Sequence, residues 1–80
     1  MKLHVANLSP SVSEHHLQEL FSRFGPILDI KIFWSHSLGR ACGTGVIEMH
    51  TAQALAAAKG LNGRPFRHRR LYVTPLNKEI

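Results

Sequence analysis

The 80-residue chain has a single cysteine, Cys42, which leaves no internal disulfide and no paired-thiol metal carrier. It has few acids: five Asp and Glu stand against ten Lys and Arg, a formal net charge of +5. It has no long apolar run, Ala54–Ala58 being the longest, so no segment is built to cross a bilayer. No secretory leader is expected, because polar residues interrupt every apolar stretch after Lys2. A reducing, cytoplasmic setting is the simplest expectation for one unpaired thiol.

What is present is enough for one small core. Hydrophobic residues make up 44% of the chain and charged residues 19%, too apolar a mixture for a disordered tail. The length allows a single domain, residues 1–80, with its core at about 2–77. A basic surplus of this size favours a polyanion as partner, nucleic acid before a membrane surface.

The apolar pattern divides the chain into six elements. Leu3-His4-Val5 alternates as a short strand and stops at Asn7-Leu8-Ser9-Pro10. Leu17, Leu20, Phe21 and Phe24 recur as one face of a helix. Ser13 is its expected N-cap, Val12 and Leu17 occupy the staple positions, and Gly25-Pro26 ends it. Ile27–Trp34 reads as a second strand, 35–41 as a polar loop, and Gly43–Met49 as a third strand. Gly43 and Gly45 share one face of that strand, where something must pack closely. Thr51 is expected to cap an alanine-rich helix, Ala52–Lys59, with Ala54, Ala57, Ala58 and Leu61 inward. Asn62-Gly63-Arg64-Pro65 forms a turn, and Arg70–Thr74 a fourth strand stopped by Pro75. The order βαββαβ predicts an α+β ferredoxin-like two-layer sandwich: a four-stranded antiparallel sheet, order 4-1-3-2, with two helices on one face.

Several local segments resemble the RNA recognition motif (RRM) family. Leu3-His4-Val5-Ala6-Asn7-Leu8 resembles its RNP hexamer. Cys42-Gly43-Thr44-Gly45-Val46-Ile47-Glu48-Met49 resembles its RNP octamer. The Glu19-Leu20-Phe21-Ser22-Arg23-Phe24-Gly25 end of the first helix, Gly39-Arg40, Leu61-Asn62-Gly63 and Arg70-Leu71-Tyr72-Val73 follow family habit. The small format is similar to short single-domain bacterial members. The resemblance implies single-stranded RNA as ligand, with single-stranded DNA as a related one. It also implies base stacking on three ring-bearing sheet positions and a basic residue opening the octamer. This chain departs there: the positions hold His4, Thr44, Val46 and Cys42. The fold signal is kept and the stacking signal is thinned.

Strand alternation places Tyr72 and Thr74, His4 and Ala6, Thr44, Val46 and Glu48, and Lys31 and Phe33 on the open sheet face. The candidate RNA-binding residues are therefore His4, Phe33 and Tyr72 as platforms, with Thr44 and Val46 between them. Lys31, Arg40, Arg67, Arg69 and Arg70 are the candidates for phosphate contacts. Lys59, Arg64, Arg67, Arg69 and Arg70 are half of the Lys and Arg within a dozen positions; a bland reading makes such a run a solvated loop. Six histidines show no helical i, i+4 pair, and adjacent His15 and His16 point about 100° apart, so no metal or other cofactor is expected. Cys42 reads as a spare thiol, and Trp34 as packing under a loop. The segment 7–11 carries no arginine or glycine to cradle a substrate phosphate, so catalysis is not expected. The expected activity is non-catalytic, salt-sensitive binding of low selectivity. A rival use of the same fold is protein contact or a weak homodimer through the apolar face around Phe33, Val46 and Tyr72.

Overall fold

A computed structural model describes residues 1–37 and 40–76; the side chains of 35–42 are outside that description. The elements run β1 (Lys2–Leu8), α1 (Glu14–Phe21), β2 (Ile27–Ser37), β3 (Arg40–Met49), α2 (Thr51–Leu61), β4 (Pro65–Phe66), β5 (Arg69–Arg70) and β6 (Tyr72–Leu76). β2, β3, β1 and β6 form one antiparallel sheet in the order β2-β3-β1-β6, the expected 4-1-3-2 arrangement with β6 as the fourth main strand.

Ser13 begins α1 as the sequence predicts. Its hydroxyl accepts from the His16 backbone N–H, and its own backbone N–H donates to His16 Nδ1 at 3.0 Å. This is a capping box with a histidine at the position usually held by Glu or Gln. Val12 and Leu17, the staple pair, are both buried. The helix ends at Phe21, earlier than the apolar stripe suggests. Phe24 N–H bonds to Phe21 O and Gly25 N–H to Ser22 O, so the chain tightens into three-residue turns that still carry Phe24 inward.

α2 corrects two expectations. His50, not Thr51, is the N-cap, and it offers no side-chain cap bond. Helical bonding already starts at His50, whose carbonyl accepts from Ala54 N–H at 2.8 Å. The helix also runs on to Leu61, because burial of Leu61 against the core rewards another half-turn. Ala54, Ala57, Ala58 and Leu61 are its buried residues, the stripe the spacing predicts.

The strands are longer than the sequence suggests. β1 continues through Leu8 because a bulge after Val5 resets its register: Val5 faces Gly45, and Leu8 faces Gly43. Asn7 takes φ 68°, and its Nδ2 donates to Arg70 O at 2.9 Å. The extra residue turns Leu8 into the core, where it is fully buried. Residues 35–37 and 40–41 of the expected loop are strand. β2 and β3 pair as a hairpin up to Ser37 opposite Arg40, which places the Arg40 backbone in a strand. Pro75 does not stop the last strand: it pairs opposite Leu3, on a sheet edge where a missing N–H is tolerated. Arg70 belongs to a separate β4–β5 hairpin, turned by Arg67 at φ 52° and His68 at φ 70°.

The helices cover one sheet face. Between the layers lie Leu3, Val5, Leu8, Leu17, Phe21, Ile47, Met49, Leu71 and Val73, each at most 2% exposed. The two octamer glycines are steric requirements of this layer. A Cβ on Gly45 would meet Leu17 Cδ1 at 3.1 Å, and one on Gly43 would meet the Trp34 ring at 2.5 Å. Trp34 packs across Gly43, its strand partner, and stays 42% exposed.

Candidate nucleic-acid interface

The uncovered face follows from pairing register. Lys31, Val46, His4 and Thr74 stand side by side across β2, β3, β1 and β6. Phe33 pairs with Thr44 at one flank, and Tyr72 with Ala6 at the other. Side chains on one face alternate with those on the other, so these residues share the solvent side while Leu3, Val5, Ile47 and Val73 are buried beneath them. His4, Lys31, Phe33, Thr44, Val46 and Tyr72 are therefore brought onto one surface. Phe33 is 56% exposed and Tyr72 49%, whereas His4, Thr44 and Val46 are half-buried by their neighbours.

A third row completes the face. Asp29 pairs with Glu48, Glu48 with Lys2, and Lys2 with Leu76. These residues join Lys31, Phe33 and Val46 around a shallow depression of about 310 Å³. Lys2, Asp29 and Leu76 were not among the sequence candidates. The parity of Lys2 with His4, and of Asp29 with Lys31, carried the signal. Two lysines and two carboxylates make this end of the face mixed in sign. Among the described residues no Lys or Arg lies within ion-pair distance of a carboxylate; the one close pair is His15 with Glu19, at 3.3 Å.

The basic run 67–70 does not act as one cluster. Arg69 is half-buried and its Nη1 donates to Leu8 O at 3.3 Å, closing the end of β1. Arg70 Nη1 donates to Gly63 O at 2.8 Å, tying the turn after α2. Arg67 extends from the β4–β5 turn beside Phe66, 6.0 Å from its ring centre, and lines a depression with His16, Glu19, Leu20 and Arg23 of the α1 region. It stands with the helix layer, not with the open sheet face. The side chains of Arg40 and Cys42 lie outside the described residues.

Comparison with known proteins agrees with this architecture. The family model for the RNA recognition motif matches residues 3–72. RbpE of Nostoc sp. is 34% identical over 74 residues, 91% of this chain and 75% of that protein. The glycine-rich RNA-binding protein RZ1C of Arabidopsis thaliana is 36% identical over 66 residues, and human cleavage stimulation factor subunit 2 is 33% identical over 70. The chain spans only 21% and 12% of those two relatives, though the matches cover 81% and 86% of this chain. Among solved structures, RNA Binding Protein PG1 superimposes with a TM-score of 0.82 at 28% identity, covering 100% of this chain and 99% of that one. The Rna15 RRM with bound RNA (GU) shares the fold at a TM-score of 0.79 and 23% identity, covering 99% of this chain and 86% of that one. The matched residues span both helices and the β3 octamer, and they reach the first residue of β6: this chain belongs to the RNA recognition motif family.

Proposed function

We propose that this chain binds single-stranded RNA, without catalysis, on the open face of its four-stranded sheet. The observation that carries the reading is the pair of exposed rings, Phe33 and Tyr72, on the two edge strands of that one face. A ring on an open sheet offers a base a stacking surface worth about 1–3 kcal/mol. His4 is the flat group between them, and Lys31 and Lys2 stand where a backbone crossing the face would pass. The family's RNA-binding relatives support the ligand class.

Binding is weak and low in sequence selectivity on this reading. The two octamer positions that carry rings in the family are Thr44 and Val46 here, so the centre of the platform gives hydroxyl and aliphatic contact instead of stacking. Arg70 is exposed and keeps guanidinium N–H groups beyond its one bond to Gly63 O, so it can supply a phosphate contact; Arg69, half-buried against Leu8 O, and Arg67, on the helix side, contribute less.

An NMR titration with a mixed-sequence single-stranded RNA at two salt concentrations tests the proposal. Shifts at His4, Phe33, Val46 and Tyr72 that weaken with salt are expected. The double substitution Phe33→Ala, Tyr72→Ala should lower affinity by roughly ten-fold or more. Unchanged affinity in that variant would remove the platform assignment. A second reading, docking of a protein or a second copy on the same face, draws on the adjacent apolar groups Phe33, Val46 and Leu76. Concentration-dependent mass in light scattering without any RNA response would favour it.

A further inference from the structure

Opposite the open sheet face, the helix layer holds a second concave surface. Leu20, Phe24 and Leu61 line a depression of about 310 Å³ with Gly60, Arg23 and Arg64. Leu20 and Arg23 also line the neighbouring depression of about 120 Å³, with His16, Glu19, Phe66 and Arg67. The two lie side by side, sharing Leu20 and Arg23, between the end of α1, the end of α2 and the β4–β5 hairpin, and together make up a grooved surface.

Its floor is apolar: Leu20, Phe24 and Phe66 are each only half-buried against the core. Phe24 rests against Gly60, where a Cβ would come within 3.0 Å of its ring. The rim is cationic, with Arg23, Arg64 and Arg67 all exposed. None of the three lies within ion-pair distance of a carboxylate among the described residues, and Glu19, the acid of the lining, is close to His15 instead. A half-buried apolar floor ringed by arginines that have no acidic partner among the described residues is complementary to a partner with the opposite arrangement.

We propose that this groove docks an acidic peptide segment whose leucine or phenylalanine side chains enter the floor while its carboxylates meet Arg23, Arg64 and Arg67. Arginine suits the task, because its planar fork pairs bidentately with a carboxylate. The groove and the open sheet face lie on opposite layers, so the two surfaces can be occupied together. This inference is independent of the RNA reading.

The test uses the full chain and a fluorescent peptide of about twelve residues, Glu- and Asp-rich, with Leu and Phe at helical spacing. Anisotropy should show saturable binding, about ten-fold weaker for the Gln/Asn isostere and for the Arg23→Gln, Arg64→Gln variant. NMR shifts should fall on Leu20, Phe24 and Phe66. The Phe33→Ala, Tyr72→Ala variant should bind the peptide as the parent does. Circular dichroism confirms that the variants fold. Absent binding, equal binding of the neutral isostere, or loss in the sheet variant would overturn the proposal. So would an oligouridine RNA that shifts the groove resonances and displaces the peptide, since nucleic acid would then be the occupant.

Discussion

The two faces of the sheet are built from the same strands, yet they obey different rules. On the covered face, Leu3, Val5, Ile47 and Val73 meet α1 and α2 and lose nearly all contact with solvent. On the open face, one residue away along each strand, His4, Val46, Phe33 and Tyr72 remain accessible. The covered face tolerates little variation, since even its glycines stand at positions where a Cβ would collide with Trp34 or Leu17. The open face can lose rings without harming the fold, and this chain has done so at Thr44 and Val46. Family membership is therefore legible on one side of the sheet, and the proposed RNA contacts lie on the other.

Three substitutions sharpen that contrast. The largest effect belongs to the covered face: Ile47→Ala, at a fully buried site, should cost about 2–5 kcal/mol of stability in denaturant unfolding. RNA affinity per folded molecule should change little. A loss below about 1 kcal/mol would mean the layers are loosely packed. Next comes its neighbour on the open face. Val46→Phe places a ring between His4 and Lys31 and should tighten RNA by roughly ten-fold with little change in stability. No gain in a fluorescence titration would show that the central positions lie outside the ligand's path. The smallest effect tests a region away from both faces. His68 holds φ 70° in the β4–β5 turn, and His68→Gly should raise stability by about 0.5–1 kcal/mol while leaving RNA binding unchanged.

Much of the candidate site's placement was legible because a strand has period two. Once four strands and their order are assigned, Lys31, His4, Thr44, Val46, Phe33 and Tyr72 fall on one face without further information. The basic run 67–70 divides in space for a related reason. Its residues are consecutive, but two left-handed residues reverse the chain at Arg67-His68, so neighbours in sequence part in space. Arg69 turned to Leu8 O and Arg67 to the α1 side, outcomes that depend on a hairpin of two-residue strands too short for periodicity to show. The early limits set on β1 and β6 have a similar origin. Asn7 and Pro75 read locally as breaks, whereas the sheet absorbs one as a bulge and the other at an edge.

The amino-acid sequence alone determined the order of the six main elements, the Ser13 cap, the alanine face of α2, the close-packing glycines and the alternation that separates core from open surface. All of these are local, set by side-chain size, period and capping chemistry within a few residues. Only the tertiary structure decided that Leu8 enters the core, that Pro75 lies within a strand, that the arginines divide between two layers, and that a cationic groove opens between the ends of the helices. Those outcomes rest on pairings between residues as far apart as Asn7 and Arg70. Such contacts form only when the whole sheet has closed, and no local pattern encodes them.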